Sequence, residues 1–123
     1  RQLPEDWFKE KGFSNPKEIH EPEMARKMLA EIEESARQRV EEDVKDPAFQ
    51  NEAYFEETQQ ELSDFITYAQ LLAAEVNERG WVENNELPQR VVERSLNNLR
   101  RYQNNFKAAA ENAEFERSEK LSE

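Results

Sequence analysis

Phe55, Leu62, Phe65, Ala69, Leu72 and Val76 recur at alternating steps of three and four, and Thr58 fills the vacant position after Phe55. That period belongs to a helix buried along one seam. It predicts a central helix running from Phe49, or from nearer Ala53, to Arg79, with Gly80 as its C-cap. Glu57, Glu61, Asp64 and Tyr68 follow similar steps beside the seam and so stack along one face. A helix that buries Leu62 and Phe65 carries Glu61 and Asp64 close to the interior. A carboxylate there requires a cation or a hydrogen-bond donor.

The period appears twice more. Met24, Met28, Leu29, Ile32, Ala36 and Val40 mark a helix from Pro22, which suits a first turn, to about Val44, with Asp46-Pro47 as its break. Val92, Leu96, Leu99, Phe106 and Ala113, with Gln103 and Ala110 in the remaining slots, mark a last helix opened by Pro88. A polar connection from Trp81 to Pro88 precedes it. Near the start, Pro4 to Glu10 makes a short helix ended by Gly12, and Asn15-Pro16 begins a turn. Trp7 and Phe13 read as aromatics of a lid packed over the bundle; the alternative is that one of them stacks on a ligand. The expected fold is one all-α domain, an antiparallel bundle of three long helices over residues 20–113. A lid with a short helix (1–19) precedes it, and a fraying tail (114–123) follows. Seam positions left exposed would favour a dimer.

Composition narrows the class. A chain of 123 residues suits one domain, and two glycines, five prolines and little Val, Ile or Thr alternation favour helix over sheet. Asp and Glu number 28 against 17 Lys and Arg, a net charge of −11. Free polyanions and anionic membranes are repelled, so neither direct nucleic-acid binding nor membrane association is expected. A nucleotide can still bind if Mg²⁺ accompanies it. The absence of cysteine excludes disulfides and thiolate metal sites and is compatible with a reducing compartment; the cytoplasm is the expected location. No apolar run approaches the ~20 residues of a membrane span, and no secretory apolar region opens the sequence as given.

Candidate chemistry lies in the carboxylates. Glu31 and Glu34 sit three apart beside the Met28/Ile32 face, as Glu61 and Asp64 do beside the central seam. If the two helices pack antiparallel, the pairs meet across the bundle and repel one another without a metal. Oxygen-only ligands favour Mg²⁺ or Mn²⁺ over Zn²⁺. Such a site clamps a triphosphate and activates an attacking water. The plainer alternative is a solvated acidic face, since the same spacing recurs at Glu75 and Glu78. Neither Ser-His-Asp nor Gly-rich phosphate-loop chemistry is available, because the two glycines are far apart.

Glu31-x-x-Glu34, 26 intervening residues, then Glu61-Leu62-Ser63-Asp64 resembles the Glu-x-x-Glu…Glu-x-x-Asp signature of MazG-like all-α nucleoside triphosphate pyrophosphatases. The likeness is to the dCTP pyrophosphatase branch in particular. Tyr68 and Leu72-Ala73 continue its second motif, and Ile19-His20-Glu21-Pro22 is similar to its approach to the first helix. Arg94 through Tyr102, with Asn98-Leu99-Arg100-Arg101-Tyr102, is similar to its Lys-x-x-x-Asn-x-Arg-Arg-Tyr-Pro segment. The likeness covers His20 to Phe106. It implies hydrolysis of a nucleoside triphosphate, expected to be a dNTP, to the monophosphate and pyrophosphate. It further implies Mg²⁺ held by Glu31, Glu34, Glu61 and Asp64, phosphates facing Arg94, Arg101 and Tyr102, and base or sugar facing His20, Tyr68 and Asn98. A homodimer or a dimer of dimers is expected from the same resemblance. The sequence departs from the pattern at Arg94, where the family has Lys, at Gln103, where it has Pro, and in a longer Gly80–Pro88 connection. Phe49, Tyr54 or Phe55 would have to supply base stacking, because no Trp lies between the carboxylate pairs.

Each supporting residue also has a plainer reading. His20 suits a surface or capping group, Tyr68 suits the core, and Arg100 and Arg101 suit pairing with glutamates of a neighbouring helix. Asn97 and Asn98, poor helix formers in mid-helix, imply that at least one has a polar partner. The alternative function is a catalytically silent acidic module that binds a protein partner or mimics nucleic acid. On that reading Glu61→Gln, relieving a like-charge cluster, leaves stability equal or higher.

Overall fold

The computed structural model describes residues 3–46 and 51–122, the stretch 114–122 through its backbone alone. Its helices are α1 (Trp7–Lys11), α2 (Pro22–Lys45), α3 (Glu52–Glu78) and α4 (Gln89–Ser122), with one 3-10 turn at Pro16–Glu18. No strand occurs among the described residues. Local chemistry accounts for most boundaries. Pro22 occupies the first turn of α2, and the Asn51 side chain accepts from the amides of Ala53 and Tyr54 to open α3. Gly12 and Gly80 take positive φ (74° and 72°) where α1 and α3 end, a conformation that costs glycine nothing. The start at Phe49 and the break at Pro47 lie outside the described residues. The stretch expected to fray continues α4 as helix to Ser122.

Side-chain pairings give the helix directions. Asp43 meets Thr58 and Tyr54, and Arg39 meets Glu61, so α2 and α3 run antiparallel. Gln103 meets Ser63, and Phe106 stacks on Phe55 at 5.3 Å, so α3 and α4 also run antiparallel. Asn98 donates to Glu33, and α2 lies parallel to α4. The three long helices pack on one another as an up-down-up bundle.

The core follows the seams. Leu62, Phe65, Ala69, Leu72 and Val76 of α3 are buried with Met28, Leu29, Ile32 and Ala36 of α2 and Val92, Leu99 and Phe106 of α4. Met24 departs from expectation: it is exposed, and Ala25 is the residue of the first turn of α2 that faces inward. Trp7 and Phe13 are buried and surround Tyr68, with ring centroids 5.5 Å and 5.3 Å away. Trp81 and Leu87 close the opposite connection from within.

Candidate functional site

The predicted ligands lie on α2 and α3, which pack directly, yet the register separates them. Asp43 stands opposite Thr58, and Arg39 opposite Glu61. Arg39 therefore takes the place where the resemblance puts Glu34. Glu34 itself turns outward, with half its side chain exposed, and is clamped by Arg37 and Gln38 of its own helix. The Arg37 guanidinium holds the Glu34 carboxyl below the usual carboxylate range, and Glu34 and Glu41 together raise Arg37 further.

Glu61 is bracketed by cations. Lys11 Nζ donates to its Oε1 at 2.9 Å, and Arg39 Nη1 lies 3.3 Å from its Oε2. The rest of the Arg39 fork reaches inward. Nη2 donates to Thr58 Oγ1 at 3.2 Å, and Nε lies 2.7 Å from Asp43 Oδ2 at an angle that makes an ion pair but no hydrogen bond. Asp43, buried, also accepts from Thr58 at 2.6 Å and Tyr54 at 2.7 Å. A continuous polar ladder thus runs Tyr54–Asp43–Thr58–Arg39–Glu61–Lys11 between α3, α2 and the lid. The hydrogen bond to Asp43, followed by desolvation, pushes the Tyr54 phenol up to about 12.

Asp64 is buried and accepts from Gln60 at 3.0 Å. Glu31 is half-buried, and its charge adds to the burial that raises the Tyr68 phenol, the larger cause being desolvation. Tyr68 has no exposed surface and donates to the Ser14 carbonyl at 2.5 Å, a core anchor for the lid. An open cleft of about 200 Å³ remains over the ladder, lined by Lys11, Ser35, Gln38, Arg39, Glu42 and Glu61.

The structure disperses the other predicted residues. His20 is exposed ahead of α2. Asn98 spends its amide on Glu33 at 3.2 Å, which supplies the polar partner expected of the Asn97-Asn98 pair. Arg94, Arg100 and Arg101 are exposed on α4, and none meets a carboxylate among the described residues, contrary to the pairing expected of Arg100 and Arg101. Arg101 instead lies over the half-buried Tyr102 ring, 5.6 Å from its centroid. Gln103, the departure from the family's Pro, donates to Ser63 Oγ and the Gln59 carbonyl and so joins α4 to α3. Tyr54 and Phe55, candidates for base stacking, are taken by Asp43 and Phe106; Phe49 lies outside the described residues.

Among the described residues no three His, Asp or Glu side chains gather as a metal-holding group. The donor set explains why: Glu61 is neutralised by two cations, and Glu34 faces away. As arranged, Glu31, Glu34, Glu61 and Asp64 do not fit an Mg²⁺ ion. Lys11, Arg39 and Asp43 escaped sequence reasoning, and Tyr54 and Thr58 entered it only as a stacking candidate and a seam filler, although two signals pointed to the ladder. Thr58 is a hydroxyl in an otherwise apolar seam, and Arg39 and Asp43 are opposite charges at i,i+4.

No described helix is long and apolar enough to cross a membrane. Fold and cleft together define an acidic three-helix bundle braced by a polar ladder that is buried at Asp43 and Thr58 and reaches the surface at Lys11. Compared with known proteins, the chain matches no family model, no curated protein and no solved structure.

Proposed function

We propose that this chain is an acidic helical module that works by binding a protein partner rather than by chemistry of its own. One observation carries the reading: Glu61, the carboxylate on which a metal-dependent hydrolase would turn, is held between Lys11 and Arg39. Two cations on one carboxylate make it a structural link between lid and bundle and compete directly with a divalent ion. Both cations of the cleft, Lys11 and Arg39, are engaged in joining the lid, α2 and α3, and its Gln38 amide is engaged by Glu34 of the same helix.

The second reading is Mg²⁺-dependent hydrolysis of a nucleoside triphosphate, favoured by the antiparallel packing of the two helices that carry Glu31 and Glu61. It requires Lys11 and Arg39 to release Glu61 and Glu34 to turn inward. Pyrophosphate release from a panel of NTPs and dNTPs, wild type beside Glu61→Gln, separates the two. The module reading expects no release with or without Mg²⁺, and no rise in melting temperature at millimolar Mg²⁺, since only an ion bound to the folded form raises it. Release that needs both Mg²⁺ and Glu61 would replace the module with the enzyme.

A further inference from the structure

Arginines divide sharply along this chain. Outside α4 every described arginine meets a carboxylate: Arg26 with Glu23, Arg37 with Glu34 and Glu41, Arg39 with Asp43 and Glu61, and Arg79 with Glu75. On α4, Arg90, Arg94, Arg100 and Arg101 are all exposed, and none meets a carboxylate among the described residues. Acids are not scarce, for the chain carries 28 of them. Residues 89–113 nonetheless hold five Lys or Arg against two Asp or Glu, a local +3 in a chain of −11. Arg90, Arg94, Asn97, Arg101 and Asn104 follow steps of four, three, four and three, which lines them along one exposed face about 21 Å long.

A second observation lies at the margin of that face. A recess of about 430 Å³ between α4 and α3 is lined by Arg100, Asn104, Gln103, Ser63, Thr67 and Ile66. Its Gln103 amide and Thr67 hydroxyl donate to α3, which leaves the Arg100 guanidinium, the Asn104 amide and the Ser63 hydroxyl to face an incoming group, and no carboxylate lines it. Such a lining suits an incoming oxyanion, and a guanidinium takes a carboxylate with two parallel hydrogen bonds.

Resting on the binding-module reading, we propose that the outward face of α4 docks an acidic helical segment of a partner protein, one of whose carboxylates enters the recess at Arg100. The steps of four and three match glutamates on a helix laid alongside. A protein segment fits better than nucleic acid because the rest of the chain carries a net −14, which repels a long polyanion while leaving a short acidic segment attracted locally. Tyr102, under Arg101, gives that guanidinium a fixed platform.

The test is titration of the ¹⁵N-labelled full chain with a synthetic helical peptide bearing glutamates at steps of four and three, and separately with a single-stranded oligonucleotide of equal charge. The expected result is amide shifts confined to α4, Ser63 and Thr67, with binding that weakens about tenfold as salt rises from low to physiological strength. Arg90→Glu with Arg94→Glu should weaken the peptide at least tenfold while leaving the circular dichroism spectrum and melting temperature unchanged. The fold tolerates this pair because both residues are exposed near the start of α4, where acidic side chains favour a helix. Arg100→Gln should abolish the shifts at Ser63 and Thr67. Peptide binding indifferent to these substitutions, or no peptide binding, overturns the proposal. Tighter binding of the oligonucleotide to the same face overturns it in favour of nucleic acid. Failure here leaves the absence of pyrophosphate release, and with it the module reading, untouched; Mg²⁺- and Glu61-dependent release would sink the module reading, whatever the peptide does.

Discussion

Tyr68 shows how one hydroxyl ties a segment down. Its ring fills the space between Trp7 and Phe13, and its hydroxyl satisfies a lid carbonyl 54 positions away in sequence. Tyr68→Phe keeps the ring and leaves the Ser14 carbonyl without that donor, which costs about 1–2 kcal/mol in urea unfolding. Asp43 is more demanding, since Arg39, Thr58 and Tyr54 all converge on it. Asp43→Ala should cost about 2–4 kcal/mol, less than a fully buried pair because Arg39 is partly exposed. Glu61→Gln now carries the opposite sign to the sequence expectation. It removes the anion between two cations rather than relieving a like-charge cluster, so stability should fall by about 1 kcal/mol. Alkali probes the same ladder. Tyr54 is held neutral to about 12, against about 10 for a free tyrosine. Below about pH 10 both states are protonated and its contribution is complete. As pH rises toward 12 only the unfolded chain ionises, and stability falls. Urea midpoints measured across that window should decline, and Tyr54→Phe should flatten part of the decline.

At the scale of the element, the apolar periodicity sufficed to locate every long helix. Pro22, Pro88, Gly12 and Gly80 marked ends where the chain begins or leaves a helix. The exposed Met24 shows the limit, since a periodic pattern leaves the phase of a first turn loose by one residue. The site was less legible, because periodicity says which face a residue shares but not which residue of the next helix stands opposite. Sliding α2 along α3 changes no seam residue's type, yet it decides whether Glu61 meets Glu34 or Arg39. Lys11 was harder still, because it arrives from the lid, 50 positions away. Gly80 gives an element-scale test. A Cβ there meets nothing closer than 4.0 Å, so Gly80→Ala should cost only the positive φ, about 1 kcal/mol, without disturbing the neighbouring packing.

For the molecule as a whole, α4 supplies both the basic face and the last wall of the core. It packs against α2 and α3 together, with Val92, Leu99 and Phe106 fully buried between them. It also runs 34 residues, about 50 Å, against 24 for α2. Since Glu33 is level with Asn98, the last dozen or so residues of α4 pass beyond the level of Lys45, where α2 ends. Scattering from the full chain should therefore give a longest dimension well above that of a compact sphere of the same mass.

That α4 follows the two helices it covers has a consequence for biosynthesis. Until residues 89–106 have left the ribosome, the α2–α3 hairpin has no cover for the apolar surface that Val92, Leu99 and Phe106 will bury. The nascent chain must carry that bare surface until α4 has emerged, and a chaperone that holds emerging polypeptides would find its grip there, with release timed by the arrival of Phe106.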